Sequence, residues 1–123
     1  MIGSDPFQVV VITWVANPFR GDKFEEAWAP AAEAVTKYGA QAWAFARSKD
    51  DPLTFMQMAV FESKMDFDRY WYAEEIAEAR VRASGMYQVP VLPVWWRSLG
   101  VGVVRDTIER PENGGANGEA EAA

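Results

Sequence analysis

The 123-residue chain contains no cysteine and no histidine. Without cysteine there is no disulfide framework, and without either residue no Cys or His metal site can form. A Ser–His or Cys–His catalytic pair is excluded within the chain for the same reason. Basic residues are also few, 12 Lys and Arg against 18 Asp and Glu, and none of them cluster into a stripe. Nucleic acid is therefore not an expected partner. No apolar run is long enough to span a bilayer, and the first residues do not read as a signal peptide. A cytoplasmic protein with no membrane partner is the expectation.

What is abundant is aromatic: six Trp, seven Phe and four Tyr, within a composition that is 50% hydrophobic. A single packed domain is expected, with aromatic surface left over for an interface or an apolar cavity. The net charge of −6 is unevenly placed. Residues 106–123 carry Asp106, Glu109, Glu112, Glu119 and Glu121 against Arg110 alone, a balance of −4 that leaves −2 for the rest. They hold no large hydrophobe after Ile108 and read as an acidic disordered tail behind a domain at 1–105.

Phe7–Ala16, FQVVVITWVA, is the stretch that orders the rest. As a strand it is apolar on both faces: Val9, Val11, Thr13 and Val15 on one, Val10, Ile12, Trp14 and Ala16 on the other. Both faces therefore need cover. Asn17-Pro18 ends the strand, and Asp22-Lys-Phe-Glu25 reads as a capping box. Phe24, Trp28, Ala31, Val35 and Tyr38 then form one helical stripe, with a kink expected at Pro30 and a stop at Gly39. Ala40–Arg47 and Leu53–Glu62 read as a hairpin around the polar turn 48–52. Met56 and Met58 read as packing residues on one face of its second strand. Ser63-Lys-Met-Asp66 caps a second helical segment that ends at Gly85, with a bend expected between Tyr72 and Glu74. A last strand falls within Val94–Val104, its adjacent Trp95 and Trp96 facing opposite sides.

Strand, helix, strand, strand, helix, strand is the ferredoxin-like α+β order: a four-stranded antiparallel sheet with its helices on one face. The helices leave the Val9, Val11 and Val15 face open, a patch too apolar for water. A homodimer through that sheet face is the expected cover.

This order, together with VFESKMDFDRYWYAEEIAEAR from Val60 to Arg80, resembles the antibiotic-biosynthesis-monooxygenase-like branch of the dimeric α+β barrel superfamily. The resemblance covers roughly residues 7–104. Members of that branch include cofactor-independent oxygenases and haem-degrading monooxygenases. The resemblance implies a site between helices and sheet, and the haem-degrading members' positions fall on Trp14, Tyr70 and Arg80. All three differ from the residues of those members. Without histidine the usual axial iron ligand is missing, so neither haem nor another cofactor is expected.

The candidate substrate-binding residues are Trp14, Tyr70, Trp71 and Arg80; no catalytic residue is identified. Arg80 either points between helix and sheet, where it can hold a carboxylate or enolate oxygen, or pairs with Glu75 or Glu78 on a solvated face. Tyr70, Trp71 and Tyr72 cannot all face the core, so at least one is exposed or lines a cavity mouth. Trp14, Trp28 and Trp43 read as core more readily than as cavity wall. Thr13 and Asn17 are further candidate donors, and no convincing base is visible. Glu74, Glu75 and Glu78 lack the convergence a divalent metal needs, so no metal is expected. Two functions remain open. One is a small-molecule enzyme resembling the cofactor-independent monooxygenases, acting on an aromatic or polyketide-like substrate. The other is a non-catalytic domain that binds an apolar or aromatic ligand or another protein.

Overall fold

The computed structural model describes residues 7–102 and residue 104. The tail expected at 106–123 lies outside the described residues. The chain runs β1 (Gln8–Val15), α1 (Gly21–Glu33), a 3-10 turn (Ala34–Tyr38), β2 (Ala42–Arg47) and β3 (Thr54–Phe61), then α2 (Lys64–Trp71), α3 (Glu74–Arg82) and β4 (Val94–Arg97). The strands form one antiparallel sheet in the order β2-β3-β1-β4. This is the expected ferredoxin-like α+β arrangement. No helix among the described residues is long and apolar enough to cross a membrane.

Two start signals behave differently. Ser63 caps α2 as its sequence suggests, its side chain accepting from the Met65 amide. The box at Asp22 and Glu25 does not form: α1 begins at Gly21 with no side-chain cap. Both acids turn outward to the Arg47 guanidinium instead, at 2.8 and 2.9 Å, while Arg47 Nε donates to the Pro52 carbonyl at 2.6 Å. A Cβ at Gly21 would collide with that guanidinium, so the glycine makes room for it. Pro30 does not break α1, which instead tightens into the 3-10 turn after Glu33 and stops at Gly39 with φ of 94°. The expected bend at Tyr72–Glu74 separates α2 from α3.

The two faces of β1 have different fates. Val10, Ile12, Trp14 and Ala16 are buried under the helices with Phe24, Trp28, Val35, Phe67, Tyr70 and Ile76. On the other face Val9, Val11, Thr13 and Val15 lie beside Val60, Met58, Met56 and Thr54 of β3. Ala42, Ala44 and Ala46 extend that surface beyond β3, and Val94 and Trp96 extend it beyond β1. The face is apolar apart from its two threonines and is the more exposed of the two, with Met56 38% and Trp96 59% exposed, although Val60 within it is buried. Trp95 and Trp96 part as expected: Trp95 meets Phe67 edge-on beneath the helices, and Trp96 stays 59% exposed on the open face.

At the middle of the covered face sits the polar side chain of Gln57, 3% exposed. Its Oε1 accepts from the Trp14 indole at 3.0 Å and the Trp28 indole at 2.9 Å. Its Nε2 donates to Tyr70 Oη at 3.0 Å, and Tyr70 donates onward to the Ala31 carbonyl at 2.7 Å. One amide thus joins β1, α1, β3 and α2. Replacing it with leucine keeps the volume but strands two indole N–H groups, each costing about 1–3 kcal/mol when buried unpaired. Gln57→Leu is expected to lower unfolding stability by about 2–5 kcal/mol in urea titrations. A loss within about 0.5 kcal/mol, the range of ordinary surface changes, would contradict this role.

Candidate functional site

Trp71 ends α2 and Arg80 lies in the last turn of α3, so the short Tyr72-Ala73 link folds one back toward the other. The Arg80 guanidinium sits over the Trp71 ring, 4.5 Å from its centroid. The same ring lies 6.2 Å from Trp14 and 6.3 Å from Tyr70, and it stacks on Phe67 at 5.6 Å. The four residues proposed from sequence therefore meet around Trp71.

Their chemistry is unequal. Trp14 and Tyr70 are fully buried, and their polar atoms are engaged in the Gln57 network. Burial pushes the Tyr70 hydroxyl up to about 12, while the Gln57 hydrogen bond and the nearby Arg80 charge pull it back in part. This hydroxyl is a donor and not a base near neutral pH. Trp71 is half-buried and offers a ring surface. Arg80 is half-buried too, and its Nη1 is shielded from solvent with no hydrogen-bond partner among the described residues. It makes no ion pair with Glu75 or Glu78. An unpartnered buried donor on a permanent cation is the arrangement that an anionic oxygen completes.

The remaining candidates lie elsewhere or are engaged. Thr13 faces the open side of the sheet, away from Trp71. Asn17 donates from Nδ2 to the Gly85 carbonyl at 2.8 Å, fastening the exit of β1 to the end of α3. Tyr72 is the exposed member of its run. Glu75 accepts from Tyr38 and pairs with Lys37, which holds its carboxyl below the usual range and raises the Tyr38 hydroxyl. No group of three metal-ligating side chains occurs among the described residues.

Three features differ from the sequence reading. Trp43 is not core: it is 40% exposed at the wall of a 460 Å³ cleft between α1 and β2. Arg47, cation to two acids and stacked 5.0 Å over Phe55, belongs to the same cleft. Gln57 is the hub of the core. Its signal was present, since it is the one polar residue sharing a strand face with Phe55, Ala59 and Phe61.

The raised Tyr70 value fixes a sign. Below pH 10 the hydroxyl is protonated in both folded and unfolded chains, and its stabilisation is complete. From pH 10 to 12 the unfolded chain ionises first, so stability falls, by up to roughly 3 kcal/mol from this group. Denaturation midpoints measured across that interval are expected to fall more steeply for the native chain than for Tyr70→Phe. Equal slopes would contradict the assignment.

No family model matches the sequence, and no curated protein matches it. Solved structures do match. A Nitrosomonas europaea protein provisionally described as an antibiotic biosynthesis monooxygenase superposes with a TM-score of 0.69 at 17% identity, covering 76% of this chain and 90% of its own. SnoaB of Streptomyces nogalater, described as a cofactor-independent oxygenase and solved as a mutant, gives 0.66 at 12% identity, over 78% and 96%. Rv0793 of Mycobacterium tuberculosis gives 0.67 at 11% identity, over 79% and 99%. At these identities the likeness is one of fold. The chain has the ferredoxin-like α+β fold of these proteins, the fold of structures described as antibiotic biosynthesis monooxygenases and of a cofactor-independent oxygenase.

Proposed function

We propose that the chain is a homodimeric small-molecule enzyme similar to the cofactor-independent oxygenases, acting on an electron-rich phenol held at Trp71 and Arg80. The observation that carries this reading is the shielded, unpartnered Nη1 of Arg80 beside the half-buried Trp71 ring. The shared fold with SnoaB, itself described as a cofactor-independent oxygenase, supports it.

The chemistry asks little of the protein. Once ionised, a hydroxyaromatic with an activated ring methylene is a strong enough reductant to react with dioxygen. The methylene becomes a carbonyl carrying one oxygen atom, its two hydrogens leave with the other atom as water, and dioxygen is the only co-reactant. The barrier the protein must lower is ionisation of the phenol. A cation about 4 Å from the phenolate contributes about 4 kcal/mol at an effective dielectric near 20, about three pKa units before desolvation is subtracted. Arg80 can therefore hold the phenolate near neutral pH without a dedicated base.

The test follows oxygen uptake with dihydroxyanthrone as the probe. Uptake above the buffer rate in the native chain, lost in Arg80→Met with the fold intact by circular dichroism, is the expected result. Binding of the probe without uptake would establish the second reading, a non-catalytic ligand-binding domain. One observation favours that reading: Trp14, Trp28, Tyr70 and Gln57 fill the centre of the helix–sheet interface and satisfy one another.

The open face of the sheet supports pairing of two copies. Val11 lies near its centre, between Val94 and Met58. Val11→Glu sets a carboxylate there, and burying it unpaired costs several kcal/mol. Sedimentation equilibrium is expected to give twice the 13.8 kDa chain mass for the native protein and once that mass for the variant. A monomeric native protein would overturn the pairing.

A further inference from the structure

The cleft between α1 and β2 lies at the opposite edge of the sheet from β4, toward which the Trp71 cluster extends through Phe67 and Trp95. We propose that this cleft binds a small apolar ligand carrying one ammonium group, an arylalkylamine in chemical class. The site is separate from Arg80, and the inference stands whether or not the chain is an oxygenase.

The shape comes first. The cleft holds 460 Å³, within the roughly 300–1,000 Å³ typical of ligand pockets. Its apolar walls include Trp43, Phe45 and Phe55. Trp43 is paired in register with Ala59, on the face the helices cover, yet it remains 40% exposed. Cover on that face stops short at the β2 edge, leaving a large ring open beside two others that are packed, Phe45 stacking on Phe55 at 5.6 Å.

The polar groups decide the ligand's charge. Arg47 lines the cleft, but its Nε and Nη1 are engaged by Pro52, Asp22 and Glu25, and the two carboxylates outweigh its charge. Glu33 also lines the cleft and carries no ion pair among the described residues. Among the lining residues Glu25 and Glu33 stand against Arg47, a balance of −1, and Asp22 outside the cleft takes up more of the Arg47 charge. Pro30, also in the wall, has no N–H to offer. The excess of acids weighs against an anion, and a neutral molecule gains nothing from the Glu33 carboxylate. An ammonium gains the Glu33 carboxylate and the face of Trp43 together.

The test uses heteronuclear NMR of the indole N–H signals, with phenethylammonium, phenethyl alcohol and phenylacetate titrated in turn. Phenethylammonium is expected to shift the Trp43 signal saturably and leave that of Trp71 in place. The alcohol is expected to bind roughly tenfold more weakly, and phenylacetate not at all. Glu33→Gln, an exposed and conservative change, is expected to reduce the ammonium to the level of the alcohol. Trp43→Ala is expected to abolish saturable binding by calorimetry. No saturable shift with phenethylammonium, binding of the alcohol or phenylacetate as tight as that of the ammonium, or an unchanged affinity in Glu33→Gln would each overturn the proposal.

Discussion

The helical layer lies on the sheet through an apolar core, and one buried amide within it fixes how the layers register. Gln57 uses its oxygen twice and its nitrogen once, so two tryptophans from different elements and a tyrosine from a third are fixed in relative position. Apolar packing alone would tolerate sliding of α1 and α2 over the strands, since dispersion is not directional. Three buried hydrogen bonds to one side chain do not tolerate it. The heavy aromatic composition depends on this arrangement. Trp14 and Trp28 can be wholly buried because each indole N–H finds an acceptor, and their rings then pack 4.7 Å apart.

The same network sets where chemistry can occur. By joining Trp14 and Tyr70 to the core it removes their polar atoms from any ligand, and it leaves Trp71 and Arg80 at the margin. Arg80 differs from the cations that form ion pairs. Arg47, Arg69 and Lys37 all have carboxylate partners, whereas Arg80 has a ring. A guanidinium over an indole keeps its in-plane N–H groups available, because the ring engages only its face.

The strands, the bend between α2 and α3, the Ser63 cap and the opposed fates of Trp95 and Trp96 were legible because each depends on local periodicity or turn chemistry. The capping box was misread for a reason local sequence cannot supply. Asp22 and Glu25 had the right spacing for a cap, but Arg47, distant in sequence, competes for both acids. Trp43 was misread as core because alternation assigns a face and not its cover, and helical cover ends before the β2 edge. The proximity of the four candidate residues was legible, but not how each is engaged. Trp14, Tyr70, Trp71 and Arg80 do converge, yet only the three-dimensional pairing of Gln57 shows that the first two are structural.

Two cations on one small domain, Arg80 and Arg47, differ in how their charges are partnered. On the covered face, the shielded Nη1 of Arg80 has no partner among the described residues, and Arg80 makes no ion pair. At the β2 edge, the Arg47 guanidinium is held by the Asp22 and Glu25 carboxylates. The sign of each site is thus set by the ratio of acids to bases within reach, and not by the net charge of the chain, which is the same for both. The open sheet face is on the other side from the helices and from the cleft between α1 and β2. The apolar face thus follows from β-strand alternation, and the local charge on the opposite side from which charged side chains the helices leave without partners.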